Sequence, residues 1–201
     1  MNDKKEQEIR ARKIRFILEA DKLKGVVRNT LLTDQSRYEN AAEHSWHLAL
    51  TALIFFDAAA VKNMDLTRIL KMLLVHDLVE IDAGDLLCYN EDQRRRQAEK
   101  EQEAAERIFN LLPEDQADTL SGLWEEFEAR QSPEARFAHA IDRLQPLLQA
   151  IHTEGKTWRL HNIRKEQVLE RMQPIRDALP GLWGYVTELI DAAADSGYLI
   201  Q

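Results

Sequence analysis

The chain contains one cysteine, Cys88, in 201 residues. No intrachain disulfide can form, and such cysteine usage fits a reducing compartment, so a cytoplasmic protein is expected. Glycine (7) and proline (5) are scarce, and no segment shows the apolar–polar alternation of a half-buried strand. An all-α fold is the reading that remains. Positive charge is also in deficit: 27 Lys and Arg face 35 Asp and Glu, for a net charge of -8. That balance disfavours a nucleic acid polymer or an anionic membrane surface as partner. It leaves room for a small anionic substrate, because a metal and a few arginines can reverse the field inside a pocket. The longest apolar stretch, residues 46–61, is broken by His47, Thr51 and Asp57, too short and too polar for a membrane span. The opening MNDKKEQEIRARK has no apolar core and does not read as a secretory signal.

What is present is an ordinary globular composition, 44% hydrophobic and 31% charged, and its length predicts one domain over residues 1–201. The periodicity predicts a first helix over 4–23, with Ile14, Ile17 and Leu18 on one face. Residues 25–40 show no period and read as a long loop. A buried helix is expected from Ala41 to Val61. Another should run from Leu66 to Ile81 behind Asp65 as N-cap, stopping near Gly84. A charged helix follows over Glu91–Leu112, then one from Pro113 to about Arg130. Ser132-Pro133 has the N-cap and N1 pattern for a helix to about Glu154, kinked at Pro146. C-terminal helices over Lys165–Ala178 and Leu182–Ser196 should pack on this core.

Within those helices, four residues can supply a mixed nitrogen and oxygen ligand set. They are His44 in Ala-Glu-His-Ser-Trp-His, His76-Asp77 in Leu-Val-His-Asp-Leu-Val-Glu, and Asp142 in Ala-Ile-Asp-Arg. Such a set suits Mn, Co, Ni, Fe or Zn better than Ca, which prefers oxygen, or structural Zn, which prefers Cys. A divalent ion of this kind acidifies water and polarises phosphoryl oxygens. His76 and Asp77 close an almost wholly apolar helix, where an unpaired pair would be costly to bury. Glu80 lies one turn beyond them, on the side of the site. His47 lies one turn after His44 and reads as an ordinary half-buried histidine. His139 could orient Asp142 or sit at the surface. Residues 94–96 (Arg-Arg-Arg) stand among Glu91, Asp92, Glu99, Glu101 and Glu103, a pattern of a solvated helix face. Trp124 and Phe127 read as core and dimer-facing residues.

The ordered set His…His-Asp…Asp resembles the HD-domain metal-dependent phosphohydrolases. The flanking words, Glu39 to Ser45, His76-Asp77-x-x-Glu80, Gly84-Asp85 and Leu123 to Glu128, resemble the 5'-deoxynucleotidase branch, over about residues 16–154. The resemblance implies a helical bundle with one divalent metal between its helices, held by His44, His76, Asp77 and Asp142. It implies Glu80 as the catalytic residue acting on water, Arg28 gripping phosphate, Asp85 contacting the sugar, and a homodimer. The substrate would be a deoxyribonucleoside 5'-monophosphate. The family carries Trp after the arginine; here Asn29 follows Arg28, which leaves the substrate's shape open, and Arg37 is an alternative phosphate contact. Only His139 lies between the HD pair and Asp142, so a single-metal hydrolase is expected rather than a two-metal one. Two alternatives stay open: an HD-family hydrolase of another phosphorylated metabolite, and a non-catalytic helical interaction protein with a structural metal.

Overall fold

A computed structural model describes residues 2–86 and 91–200, with the side chains of residues 91–95 left aside; Cys88 lies outside the described residues. The fold is all-α apart from one small hairpin. Helix α1 covers Asn2–Ala20, strands β1 and β2 cover Val27–Leu31 and Tyr38–Asn40, and α2 covers Ala41–Phe55. Then come α3 (Leu66–Val75), α4 (Glu80–Ala83), α5 (Glu91–Phe109), α6 (Glu114–Ala129) and α7 (Pro133–His152). The short α8 (Lys156–Leu160), α9 (Lys165–Arg171) and α10 (Gln173–Ala178) lead to α11 (Pro180–Asp195). No described helix is long and apolar enough to cross a membrane.

Local chemistry fixes the ends of the elements that matter. Asn40 and Glu43 form a reciprocal capping box, each side chain accepting from the other's backbone N–H, so α2 begins three residues before His44. Asp65 caps α3 as expected, accepting from the N–H of Arg68. Ile69, Met72 and Leu73 make one buried stripe on α3, and the next position on that stripe is His76. Ser132 and Pro133 open α7 as N-cap and N1, and the helix continues through Pro146 to His152. Helix α7 is the axis of the bundle: α2, α3, α6, α10 and α11 all pack on it, and β1 lies across it.

Four expectations need correction. Residues 25–40 are not structureless: β1 and β2 pair antiparallel across a turn, and β1 rests on α7 and α8. The buried helix from Ala41 stops at Phe55, and α3 gives way to a tight 3-10 turn over His76–Val79 before α4. The helix expected over 165–178 breaks at Met172, because Pro174 cannot donate a backbone hydrogen bond. As expected, Ile14, Ile17 and Leu18 share a face of α1; that face is exposed, whereas Phe16 is buried.

Candidate metal centre

The site forms where the start of α2, the 3-10 turn after α3 and the middle of α7 meet. His44, His76, Asp77 and Asp142 are all buried. In a 3-10 turn neighbouring side chains diverge by about 120°. Even so, Nε2 of His76 lies 3.0 Å from Oδ1 of Asp77. The distance from His44 Nε2 to Asp142 Oδ1 is 3.1 Å, and His76 Nε2 lies 4.0 Å from the same oxygen. From His44 Nε2 to Asp77 Oδ2 is 4.0 Å. Donor atoms of His44, His76 and Asp77 lie within 4.8 Å of one another.

The tautomers follow from the partners. Nδ1 of His76 is 3.0 Å from the carbonyl oxygen of Leu73, which only accepts, so Nδ1 carries the proton. Its Nε2 is buried, has no hydrogen-bond partner and faces two carboxylates. Gln145 donates its amide to Glu39 at 2.8 Å, which turns its carbonyl oxygen toward His44 Nδ1 at 2.9 Å. Glu39 Oε2 also lies 3.4 Å from that nitrogen. His44 therefore holds its proton on Nδ1 and aims the lone pair of Nε2 at Asp142. Once Nε2 of His44 gives up any proton, two nitrogen lone pairs and two carboxylates converge on one point, a donor set suited to a cation. Ligand atoms bonded at about 2.1 Å stand about 3 Å apart when adjacent and about 4.2 Å apart when opposite, so the observed 3.0–4.0 Å separations fit one ion. Backbone and carboxylate partners on the far ring nitrogens are the usual support for histidine ligands.

Electrostatics sharpen the picture. Burial opposes ionisation of Asp142, but Arg143, donating to its Oδ2 at 2.6 Å, and His44 hold its carboxyl well below the usual range. His44 is itself raised: burial and Arg28 oppose its proton, and the Asp142 and Glu39 contacts outweigh them. Loading a cation at His44 must therefore displace a favoured proton, so uptake should weaken toward acid pH.

Glu80 opens α4 and is pushed well above the usual carboxylate range, by burial first and by the charge of Asp77 second. Its Oε2 is buried without a hydrogen-bond partner. Arg28, on β1, donates to Asp77 Oδ2 at 3.0 Å and lies 4.0 Å from Glu80 and 3.9 Å from Asp85. Burial works against its charge, but Asp77, Glu80, Asp85 and Asp142 together raise it. Gly84, at φ 75°, turns the chain so that Asp85 faces back to β1. There Oδ2 of Asp85 accepts from both the backbone N–H (3.2 Å) and the side-chain amide (3.0 Å) of Asn29. All six proposed site residues other than His44 line one cavity of about 440 Å³.

Other residues land differently from the sequence reading. Arg37 is exposed and bonds its fork to Glu43, and it does not line the cavity. His47 accepts from Gln145 at 3.1 Å. His139 is buried, not at the surface; its ring stacks on Phe127 at 4.8 Å, and burial pushes its pKa down to about 2, so it is neutral. Phe127 lies 4.6 Å from the His76 ring too, wedged between the two imidazoles, and Trp124 is core. Arg96 is exposed, in keeping with a solvated face; the side chains of Arg94 and Arg95 are outside the described set. Sequence reasoning missed Glu39, Gln145 and Gln149 around His44, and Arg130 and Arg143 on the cavity wall. A signal existed: Gln145 and Gln149 follow Asp142 at helical spacing.

Residues 20–183 match the profile of the HD domain family. The 5'-deoxynucleotidase HDDC2 of Bos taurus is 33% identical over 116 residues, 58% of this chain and 55% of that protein. The human 5'-deoxynucleotidase HDDC2 is 33% identical over 118 residues, 59% of this chain and 56% of that protein. The matched stretch thus spans little more than half of these two curated relatives. The crystal structure of a predicted metal-dependent phosphohydrolase from Magnetospirillum magnetotacticum MS-1 superposes with a TM-score of 0.91. It is 45% identical, over 96% of this chain and 97% of that one.

Proposed function

From the fact that this chain belongs to the HD domain family, we propose that it is a metal-dependent phosphohydrolase that cleaves deoxyribonucleoside 5'-monophosphates to deoxynucleoside and phosphate. The observation that carries the reading is the convergence of His44 Nε2 and His76 Nε2 with Asp77 and Asp142 at the end of a cavity lined by Arg28, Glu80 and Asp85. These four residues would hold one divalent transition ion, among Mn, Co, Ni, Fe and Zn. When bound, the ion supplies Lewis acidity toward the phosphate and lowers the pKa of water. Glu80 takes the proton of the attacking water and aligns it with the leaving 5'-oxygen. Arg28, Arg130 and Arg143 offset the charge that grows on phosphate oxygens. The relatives' names support the substrate class.

A phosphate-release screen over ribo- and deoxyribonucleoside monophosphates and sugar phosphates, with Mn, Co, Ni and Mg in turn, tests this. Turnover confined to deoxyribonucleotides is the expected result; turnover confined to a non-nucleotide phosphate would transfer the site to another metabolite.

Arg28 and Asp85 should fail in different ways. Arg28 stands among four carboxylates, Glu39, Asp77, Glu80 and Asp85, so alanine there would leave them uncompensated; lysine keeps the charge and removes the fork. Arg28→Lys should weaken every phosphorylated substrate by about 10-fold or more, the worth of a charged hydrogen bond. Asp85→Asn should instead narrow the preference for deoxyribo- over ribonucleotides. Steady-state kinetics on matched pairs decide: equal losses on both sugars for both variants would end this division of labour.

The protein is further proposed to be a cytoplasmic homodimer. Support comes from two exposed apolar stripes, Ile14, Ile17 and Leu18 on α1 and Trp46, Leu50, Leu53 and Ile54 on α2. A monomer in sedimentation at micromolar concentration would contradict it.

A further inference from the structure

Helix α4, which opens on Glu80, is a single turn of four residues. A turn that short does not hold itself, because fixing its dihedrals returns too few hydrogen bonds. A backbone bond runs from the N–H of Gly84 to the Glu80 carbonyl at 2.9 Å. The Glu80 carboxylate has little support of its own. Its Oε2 has no hydrogen-bond partner, and Arg28 stands 4.0 Å off, beyond hydrogen-bond reach. The aim of Glu80 is therefore set by whatever holds α4.

Helix α5 holds it at two places. Near the start of α5, Gln97 donates to the Gly84 carbonyl at 2.8 Å. Near its end, Arg107 takes Asp82 in a fork: Nε donates to Oδ2, and Nη2 donates to Oδ1 at 2.9 Å. Nη2 also donates to Glu19 of α1 at 2.6 Å, and Glu19 pairs with Lys22 at 2.8 Å. Asp82 comes two residues after Glu80, about 200° round the helix, so the fork grips the side of the turn opposite the Glu80 side chain. Arg107 and Asp82 are 44% and 38% exposed. A lone exposed ion pair contributes little, but a bidentate fork inside a charge network is the exception.

We propose that Arg107 is a positioning residue for the reaction: it anchors α4 to α5 and α1, and so fixes the direction from which Glu80 meets the attacking water. The inference rests on the reading of Glu80 as the base. Neither Arg107 nor Asp82 lines the cavity, so both reach the reaction through α4. Displacing a reacting group by about 1 Å can cost about 10²-fold in rate.

The test measures phosphate release from a deoxyribonucleoside monophosphate by the metal-loaded protein. Arg107→Gln and Asp82→Asn each undo the fork from one side. Each should lower kcat about tenfold, with KM, metal content and helical circular dichroism as in wild type. The double variant should lose no more than either single one, because both remove the same contact. In a Glu80→Gln background, Arg107→Gln should cost nothing further, since the base it aims is already gone. General loosening would instead lower kcat by the same factor in both backgrounds. Should one single variant lose its fold, the other carries the test. Folded single variants with wild-type kcat, or an equal loss in the Glu80→Gln background, overturn the role of Arg107 and leave the phosphohydrolase reading standing. Wild-type kcat in Glu80→Gln alone removes the base, and the role of Arg107 with it. A wild type that hydrolyses no deoxyribonucleoside monophosphate overturns both the role and the reading.

Discussion

Replacing Asp142 with alanine is expected to empty the metal centre and abolish turnover. Asp142 is buried and its two oxygens have separate duties. Oδ1 faces His44 Nε2 at 3.1 Å and His76 Nε2 at 4.0 Å, whereas Oδ2 accepts from Arg143 at 2.6 Å. Alanine removes one of two carboxylates from the cluster and leaves the Arg143 guanidinium beside it. The remaining site has less negative charge, which is adverse to binding a cation. Loss of a supporting residue around a metal ligand costs about 10–100-fold in affinity. Loss of the ligand itself should exceed about 100-fold. Metal analysis on the purified variant, with phosphate release measured in parallel, gives the answer. Full occupancy with wild-type turnover would reject Asp142 as a ligand.

Glu80→Gln should keep the metal and lose the chemistry. Glutamine preserves the shape of the side chain but cannot take a proton. Glu80 has the environment of a base held ready: burial and the neighbouring Asp77 push it upward, and Oε2 is bonded to nothing. Such an oxygen is available to a substrate water, and a raised pKa brings it nearer neutral pH, where general bases work best. The expected fall in kcat is about 10²-fold or more. Metal content should match wild type, because Glu80 is not one of the four residues proposed to hold the ion. Retained kcat would remove Glu80 from the reaction, and a lost metal would make it a support of the centre.

The candidate ligands were legible in the sequence because each sits in an apolar helical context where a charged or imidazole group needs a reason. His76-Asp77 at the end of the Ile69–Val75 stripe is the clearest case. The residues around His44 were not legible. Glu39 reads as one more polar residue before a helix, and only the fold brings it against Gln145 and Gln149, 106 and 110 positions away. The hairpin escaped for a related reason. Its strands are five and three residues long, without alternation, and they gain their stability by resting on α7 and α8. Arg28 was legible as an arginine before the first ligand, but not as a residue clasped by Asp77, Glu80 and Asp85, because that pairing is wholly non-local. Ile14, Ile17 and Leu18 show the converse limit: periodicity marks an apolar face but cannot say what covers it.

The most direct test of the account is phosphate release from a deoxyribonucleoside monophosphate by protein stripped with a chelator and then reloaded. The account predicts that stripping abolishes turnover, that the helical circular dichroism persists, and that about one equivalent of a divalent transition ion per chain restores activity. Turnover that survives complete removal of metal would contradict it, as would a stripped chain that unfolds and, once reloaded, refolds without any phosphatase activity.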